Sequence, residues 1–153
     1  MSVDVGQEAP DFTLRDQHGH PTTLSSFRGD KNVVLTFYPW AFTSTCTGEL
    51  CEIRDRITGF DNDDTVTLAV SCDAQFSLRI FAEREGYTFP LLSDFWPHGD
   101  VAKAYGVFDE EDGVAIRGTF IIDKQGIVRF AVVKGIDDAR DPVEYEKALA
   151  SLG

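Results

Sequence analysis

The sequence is poor in basic residues, which number 14 among 153 residues against 26 acidic ones. The formal net charge is −12 at pH 7, and the few Lys and Arg residues are not concentrated in any segment. Such a chain repels the phosphates of nucleic acids and the headgroups of anionic lipids. We therefore expect neither nucleic acid nor a membrane surface among its partners.

Long apolar runs are also missing, because no segment approaches the ~18–20 consecutive apolar residues of a membrane-spanning helix. The N-terminal segment, Met1 to Gly6, has neither the basic stretch nor the apolar core of a secretory signal. A cytoplasmic location is therefore the expectation.

Cysteine is scarce and odd in number, with Cys46, Cys51 and Cys72 as its three copies. A small secreted scaffold held by disulfides would carry more cysteines, in even number. The chain lacks Cys-x-x-Cys, which disfavours a thioredoxin-type dithiol, and the paired Cys and His spacings of a zinc site. The acidic run from Asp109 to Gly113 lacks the alternating ligands of a calcium loop and is interpreted as a solvated turn. We expect no metal and no cofactor.

Apolar side chains, by contrast, are plentiful: 42% of the residues are hydrophobic, and 12 of them are Phe. A chain of this length buries roughly two-thirds of its unfolded surface, enough for a core without disulfides or metals. No linker, repeat or low-complexity segment divides it. We predict a single domain over residues 1–153.

Short strand-like runs alternate with helical patterns along this domain. In order, we predict a hairpin within residues 9–24, strands at 33–38, 65–70 and 91–92, helices at 46–60, 76–85 and 100–105, a hairpin over 119–133, and a helix from Pro142. Alternating strands and helices imply parallel crossovers, and the last hairpin adds antiparallel strands. The predicted fold is α/β and thioredoxin-like, with a mixed central sheet, helices on both faces and an N-terminal β-hairpin.

The segment from Phe37 to Cys46 is where chemistry is expected. A buried strand ends, a loop containing Pro39 follows, and Cys46 lies at the start of a helix. A helix N-terminus carries partial positive charge and unpaired N–H groups, which favour the nucleophilic thiolate form of cysteine. Position alone leaves a second interpretation equally open, in which Cys46 is a buried cysteine that acts as a small hydrophobe.

The spacing Pro39-x-x-x-Thr43-x-x-Cys46 resembles the active-site motif of the peroxiredoxins. Further segments resemble the same family in order: Ala9-Pro-Asp-Phe-Thr-Leu14, Phe89-Pro-Leu-Leu-Ser-Asp94, Ala104-Tyr-Gly-Val107 and Arg117-Gly-Thr-Phe-Ile-Ile-Asp123. The resemblance runs from about residue 3 to the C-terminus. Ala41-Phe42-Thr43 and Ser93-Asp-Phe-Trp-Pro-His-Gly99 are similar to the E-type alkyl hydroperoxide reductases, which are related to the Q-type, bacterioferritin comigratory group.

The resemblance implies a role for each matched residue. Cys46 would be the peroxidatic cysteine, whose thiolate attacks a hydroperoxide and becomes a sulfenic acid. Thr43 would hydrogen-bond the peroxide, and Pro39 would shield the pocket from water. Arg117 would stabilise the thiolate and the charge on the leaving oxygen, while Glu49 would position that arginine.

Simpler interpretations of three of these residues stay open. Thr43 could be a helix cap, alone or in addition to its role at the peroxide. Arg117 could be a surface charge at a strand edge. Glu49 could be a first-turn acid that suits the helix dipole.

Cys51 departs from the E-type pattern, which works with one cysteine. In the Q-type group a resolving cysteine often lies five residues after the peroxidatic one, as Cys51 does after Cys46. Five helical residues separate the two Cα atoms by about 8–9 Å, whereas a disulfide needs roughly 4.4–6.8 Å. We therefore predict that the first helical turn unwinds before a Cys46–Cys51 disulfide forms. The alternative is that Cys51 is only a helix residue beside the core.

Cys72 ends a predicted buried strand, which makes a structural cysteine the favoured interpretation and an alternative resolving thiol the second. The aromatic residues Trp40, Phe42 and Trp96 could line the pocket mouth and favour apolar hydroperoxides, or belong to the core.

The resemblance implies a thiol peroxidase acting on hydrogen peroxide and organic hydroperoxides. Thioredoxin would suit a Cys46–Cys51 disulfide, and mycothiol with a mycoredoxin would suit a one-cysteine cycle. A homodimer is expected from the family. Two other classes of function stay open at this point, a non-catalytic redox sensor and a structural thioredoxin-fold interaction domain.

Overall fold

The computed structural model describes residues 3–152, and it describes Cys46 by its backbone alone. Met1, Ser2 and Gly153 lie outside the described residues, so the predicted ends of the domain and the start of the N-terminal segment are not tested. The strands are β1 Thr13–Arg15, β2 Pro21–Thr23, β3 Asn32–Phe37, β4 Thr65–Ser71, β5 Leu91–Ser93, β6 Phe108–Asp109, β7 Val114–Ala115, β8 Arg117–Ile122 and β9 Val128–Lys134. The helices are α1 Ser44–Asp55, α2 Ile57–Phe60, α3 Gln75–Glu85, α4 Asp100–Ala104 and α5 Pro142–Ala150, with a 3-10 turn at Leu24–Phe27.

Seven strands form the central sheet in the order β2-β1-β5-β4-β3-β8-β9. The pairs β3–β4 and β4–β5 are parallel, while the other neighbours are antiparallel. Parallel neighbours need a crossover, which α1 and α3 supply, whereas β8 and β9 need only a tight turn. The predicted α/β, thioredoxin-like mixed sheet is confirmed, as is the N-terminal hairpin.

Alternation along the central strands divides the core into two layers. On β3, Val33, Leu35 and Phe37 pack on one face with α4, while Val34 packs on the other with α1, α3 and α5. Successive side chains of a strand point to opposite faces, so a continuous apolar run is what a strand covered on both sides requires. Helices therefore cover both faces of the sheet, as predicted.

The predicted helix over residues 46–60 is wrong in its extent. The structure begins α1 two residues earlier, at Ser44, and ends it at Asp55, before the separate turn α2. Arg56, between them, leaves helical geometry with φ −112° and ψ 23°. Thr58 and Gly59, which follow the break, are weak helix formers, so the segment has little intrinsic preference for one continuous helix despite the apolar stripe. No helix within residues 3–152 is long and apolar enough to cross a membrane.

The acidic run at residues 109–113 is a turn, as interpreted, and it closes a small hairpin that the sequence pattern did not reveal. Strands β6 and β7 pair antiparallel on either side of it. The Asp109 carboxylate accepts hydrogen bonds from the backbone N–H groups of Glu111 and Asp112. Because Asp109 binds the backbone of its own turn, its carboxylate has a local structural role.

Candidate active site

Cys46 is the third residue of α1, and its backbone lies in the first helical turn. Thr43 precedes the helix in an extended conformation, and its carbonyl accepts the first helical bond from the Thr47 N–H at 2.9 Å. The N–H groups before Thr47 have no acceptor within the helix. Cys46 therefore belongs to the turn where the helix dipole is most positive, as predicted. Its side chain is outside the described part of the molecule.

The loop between β3 and α1 is fixed at several points. Pro39 is buried at the end of β3, and the Ala41 N–H donates to Asp73 Oδ2 at 2.8 Å. Phe42 has a φ of 71°, in the left-handed region that non-glycine residues rarely adopt. A bulky side chain in this conformation is held there by its surroundings, and its ring packs 5.0 Å from that of Phe81. The loop thus presents Thr43 in one defined orientation.

Thr43 occupies the N-cap position, but its side chain makes no cap hydrogen bond to the helix. Its hydroxyl donates instead to the Trp40 carbonyl at 3.1 Å. The helix-cap interpretation of this side chain is therefore wrong. The hydroxyl oxygen keeps lone pairs that can accept a hydrogen bond from a bound molecule.

A buried carboxylate holds two buried arginines directly behind α1. Glu49 Oε1 accepts from Arg117 Nη1 at 2.6 Å and from Arg140 Nη2 at 2.9 Å. Its Oε2 accepts from Arg140 Nε at 3.0 Å and from the Arg140 backbone N–H at 2.6 Å. Arg117 Nε also donates to the Ile136 carbonyl, which fixes its guanidinium from a second side. The two arginines share the Glu49 carboxylate, so these three side chains together carry one more positive than negative formal charge.

Hydroxyl groups continue this cluster across the sheet. Arg140 Nη1 donates to Thr119 Oγ1 at 3.0 Å, and the same oxygen lies 2.8 Å from the Tyr145 hydroxyl and 3.1 Å from Thr36 Oγ1. All four side chains are buried. A connected network of this kind fixes the rotamers of its members, which keeps the arginines in place.

The Glu49 carboxyl is held in its charged form. Burial by itself would raise its pKa, but the hydrogen bonds and charge of Arg140, with the charge of Arg117, outweigh burial and lower the pKa below its ordinary value of 4.5. A buried ion pair is stabilising only when its remaining hydrogen-bonding groups are satisfied. Both oxygens of Glu49 meet that condition.

Two of the simpler interpretations are therefore wrong. Arg117 is not a surface charge, because only 2% of it is exposed and it pairs with Glu49. Glu49 is not a first-turn acid, because α1 has no acidic residue in its first turn and the carboxylate points at the arginines. Burial within a charge cluster depends on tertiary packing, and helical spacing alone does not reveal it.

Arg140 was missed by the sequence analysis. It lies in the acidic stretch Asp137–Asp141, a composition that is typical of a solvated loop. The available signal was its position directly before Asp141, whose carboxylate caps α5 by accepting from the Val143 N–H, and before Pro142 at the helix start. A residue adjoining a well-capped helix has a fixed backbone, and here that backbone also donates to Glu49.

Cys51 lies in the same helix but in different surroundings. Its side chain is half-buried, with Sγ 3.4 Å from the Tyr87 hydroxyl and 4.0 Å from Glu85 Oε2. The Tyr87 hydroxyl also donates to the Thr47 carbonyl at 3.2 Å. Both cysteines lie within the continuous helix α1. Helical geometry therefore keeps their Cα atoms too far apart for a disulfide, and the helix has to unwind before one can form.

Cys72 is buried beyond the end of β4. Burial, and then the nearby charge of Asp94, raise the pKa of its thiol to about 12. A thiol in this environment stays protonated near neutral pH and is a poor nucleophile. The surroundings favour the structural interpretation of Cys72.

The aromatic residues named from the sequence do not belong to the core. Trp40, Phe42 and Trp96 are exposed, Trp96 to 81%. Phe42 lines an open pocket of about 540 Å³ beside α1, together with Ser44, Thr47, Gly48, Phe81, Arg84 and Glu85. Trp96 lines a separate pocket. Among the side chains that the structure describes, no group of three or more His, Cys, Asp or Glu residues could hold a metal ion.

Comparison with known proteins identifies the family. The sequence model described as "AhpC/TSA family" matches residues 5–131. The chain belongs to the AhpC/TSA family. This membership confirms the peroxiredoxin resemblance that the motifs carried, and the enzyme is a thiol-dependent peroxidase.

Relatives of this peroxiredoxin match over nearly its whole length. Alkyl hydroperoxide reductase E of Mycobacterium tuberculosis is 52% identical over 150 residues, which cover 98% of each chain. The chloroplastic 2-cysteine peroxiredoxin of Chattonella marina var. antiqua is 35% identical over 162 residues, covering 99% of this chain and 82% of the relative.

Solved structures agree with the fold. The crystal structure of peroxidoxin BcpB from Mycobacterium tuberculosis has a TM-score of 0.83 at 35% identity, and it covers 98% of this chain and 96% of that one. The reduced 2-Cys peroxiredoxin of Plasmodium vivax has a TM-score of 0.86 at 26% identity, with the same coverage. The match supports both the thioredoxin-like architecture and the enzyme class.

Proposed function

We propose that Cys46 is the nucleophile of this peroxidase and that hydrogen peroxide and organic hydroperoxides are its substrates. The Cys46 thiolate attacks the terminal peroxide oxygen, an S–O bond forms, and the O–O bond breaks. The leaving oxygen takes a proton and departs as water or an alcohol. Cys46 becomes a sulfenic acid, and the peroxide is reduced by two electrons.

The observation that carries this proposal is the buried pair of arginines behind α1. Glu49 follows Cys46 by three residues, so Arg117 is anchored within about one helical turn of the Cys46 backbone. The chain as a whole carries a net charge of −12. A local excess of positive charge, added to the helix N-terminus, favours a thiolate and the developing charge on the leaving oxygen.

Thr43 and Pro39 complete the proposed pocket. The Thr43 hydroxyl donates its hydrogen bond to the Trp40 carbonyl, which leaves the hydroxyl oxygen to accept a hydrogen bond from the peroxide. Pro39 is buried and has no N–H of its own, so it excludes water from the loop without adding a donor. Glu49 and Arg140 act through Arg117 and are positioning residues.

Replacing the nucleophile tests the assignment. Cys46→Ser is expected to abolish the second-order reaction with hydrogen peroxide, because a serine hydroxyl is not ionised at neutral pH. The measurement is peroxide consumption with a thiol reductant in excess. Cys72→Ser is the matched control and should keep the wild-type rate, since that thiol is buried with a raised pKa. Undiminished consumption in Cys46→Ser would refute the proposal.

Cys51 is proposed to resolve the sulfenic acid. Its thiol displaces the sulfenic oxygen of Cys46, an S–S bond forms, the S–O bond breaks, and water leaves. The support is the five-residue spacing together with a half-buried thiol that is not part of the sealed core. The alternative is a one-cysteine cycle, in which an external thiol attacks Cys46 directly.

Peptide mapping after one equivalent of peroxide separates the two cycles. The expected product is an intramolecular Cys46–Cys51 disulfide that disappears in Cys51→Ser and persists in Cys72→Ser. A sulfenic or overoxidised Cys46 with Cys51 still free would establish the one-cysteine cycle instead. A Cys46–Cys72 disulfide would transfer the resolving role to Cys72.

The reductant follows from the same product. We propose thioredoxin for an intramolecular disulfide, and mycothiol with a mycoredoxin for the one-cysteine cycle. Mass spectrometry of the oxidised protein, with and without each reductant, distinguishes them. A cytoplasmic homodimer is the proposed setting, supported by the low cysteine content and by the family; sedimentation of the reduced protein tests the dimer.

A further inference from the structure

Tyr87 contacts the stretch of α1 that lies between the two reactive cysteines. Its hydroxyl donates to the Thr47 carbonyl at 3.2 Å and lies 3.4 Å from Cys51 Sγ. In an α-helix the Thr47 carbonyl also accepts the N–H of Cys51, four residues on. One tyrosine therefore reaches both ends of the same helical turn.

The protons in this contact can be assigned. A tyrosine hydroxyl has one proton, and here it goes to the Thr47 carbonyl, so the Tyr87 oxygen can only accept from Cys51. The Cys51 thiol proton then has two acceptors within reach, the Tyr87 oxygen at 3.4 Å and Glu85 Oε2 at 4.0 Å. Burial, followed by the hydrogen bond with Cys51, raises the pKa of Tyr87. The hydroxyl proton therefore stays in place at neutral pH, and both contacts persist together.

The anchor itself is held rigidly. The Tyr87 ring is buried, stacks on Phe89 with centroids 5.2 Å apart and meets the edge of Phe81 at 5.2 Å. Nearby, Arg54 Nη1 donates to the carbonyl of Glu85, the last residue of α3, which fastens the last turn of α1 to the chain two residues before Tyr87. Because the Arg54 contact holds the far end of α1 in place, unwinding that begins near Cys46 has to separate the 47–51 turn from Tyr87.

We propose that Tyr87 is a latch that keeps the 47–51 turn of α1 wound and so limits the rate at which the Cys46–Cys51 disulfide forms. The inference rests on the proposed resolving role of Cys51. The reaction joins the two sulfurs and releases the sulfenic oxygen with the thiol proton as water. Both contacts of Tyr87 break before the sulfurs can meet, because the wound helix holds their Cα atoms too far apart.

A slow resolving step has a consequence at high peroxide. A Cys46 sulfenic acid that has not yet reacted with Cys51 is exposed to a second peroxide molecule, which oxidises it to sulfinic acid. The latch therefore sets how readily the enzyme is inactivated by its own substrate, while the first reaction with peroxide is independent of it.

The test uses Tyr87→Phe, which removes the hydroxyl and keeps the ring packing. We expect disulfide formation about tenfold faster after one equivalent of peroxide, the effect of losing one to two hydrogen bonds. Sulfinic acid at excess peroxide should fall correspondingly, and the first reaction with peroxide should stay within twofold of wild type. Quenched alkylation with mass spectrometry follows both products.

Hydrogen exchange of the reduced protein gives a second readout that needs no disulfide. Amides in the 47–51 peptide should exchange several-fold faster in Tyr87→Phe, since the turn opens more often. Tyr105→Phe is the matched control: it removes a tyrosine hydroxyl that donates to the Pro10 carbonyl, and Tyr105 packs in the core layer on the other face of the sheet from α1. That control should leave the exchange of 47–51 and the rate of disulfide formation unchanged.

The two readouts keep the latch separate from the proposed resolving role. Unchanged exchange at 47–51 in Tyr87→Phe, or disulfide formation that is unchanged or slower, would overturn the latch. If the wild-type protein forms no Cys46–Cys51 disulfide, the resolving role of Cys51 fails. The exchange measurement then decides by itself whether Tyr87 holds the turn.

Discussion

The two sides of α1 have different physical environments. Glu49 and Cys51 are two residues apart, which is about 200° around a helix, so they face opposite ways. On the Glu49 side the carboxylate is buried with two arginines in a network of charged hydrogen bonds. On the Cys51 side a half-buried thiol meets a tyrosine and a distant carboxylate.

The difference explains how α1 can be held firmly on its Glu49 side while the turn on its Cys51 side can unwind. A buried ion cluster is costly to disrupt, because removing one partner leaves an uncompensated charge. Hydrogen bonds between neutral groups contribute only about 0.5–1.5 kcal/mol each. The charged side is suited to holding a reactive centre in place, and the neutral side to releasing a turn.

Among the changes that test this difference between the two sides of α1, Arg117→Met should have the largest effect. Loss of a preorganised donor typically costs about 10²–10³ in rate, so we expect the second-order rate with hydrogen peroxide to fall by that factor. Stopped-flow kinetics measure it. The control is Arg129→Met, which removes an arginine that also pairs with a carboxylate, that of Asp123, but is half-exposed. Equal rates for the two variants would remove Arg117 from the mechanism.

Glu49→Gln should destabilise the fold by about 3–5 kcal/mol, because both arginines lose their charge partner. Since the folded pKa of Glu49 is lowered from 4.5, its contribution is complete above pH 4.5 and is lost as the pH falls through the lower folded value. Denaturant unfolding of both proteins should therefore give a difference that is largest near neutral pH and shrinks in acid. A constant difference from pH 7 to pH 3 would contradict this.

The smallest effect is expected in the rates at which the two remaining thiols, Cys51 and Cys72, are alkylated in a Cys46→Ser background. With a pKa of about 12, only about one Cys72 thiol in 10⁴ is ionised at pH 8. Cys72 is also sealed from solvent, whereas Cys51 is half-buried. We expect iodoacetamide to modify Cys51 at least about tenfold faster, as followed by peptide mass spectrometry. Comparable rates would show that Cys72 is accessible and reactive.

Much of the fold could be predicted because the spacing of apolar residues, and the residues that begin and end helices and strands, are local properties of the sequence. The run from Val33 to Tyr38 specifies a strand buried on both faces, and Pro142 marks the start of α5, as observed. The break at Arg56 and the small β6–β7 hairpin were missed, because neither interrupts the apolar pattern that the prediction relied on. Short elements depend on their neighbours more than on their own sequence.

The candidate site divides in the same way. Thr43 and Cys46 are close in sequence, so a motif can place both at one helix N-terminus. Arg117 and Arg140 approach Glu49 across separations of 68 and 91 residues. The resemblance to a family singled out Arg117, whereas the only local signal for Arg140 was its position directly before the capped start of α5.

The sequence by itself determined the order of the longer strands and helices, the position of Cys46 at a helix start and the acidic character of the whole chain. Only the tertiary structure decided which charges are buried together. It places two arginines beside one carboxylate of α1, in a chain whose net charge is −12. It also gave the three cysteines different settings, with Cys51 beside a tyrosine and Cys72 in the core. The physical reason is that burial and charge pairing join residues far apart in the chain, whereas periodicity and capping act over a few residues.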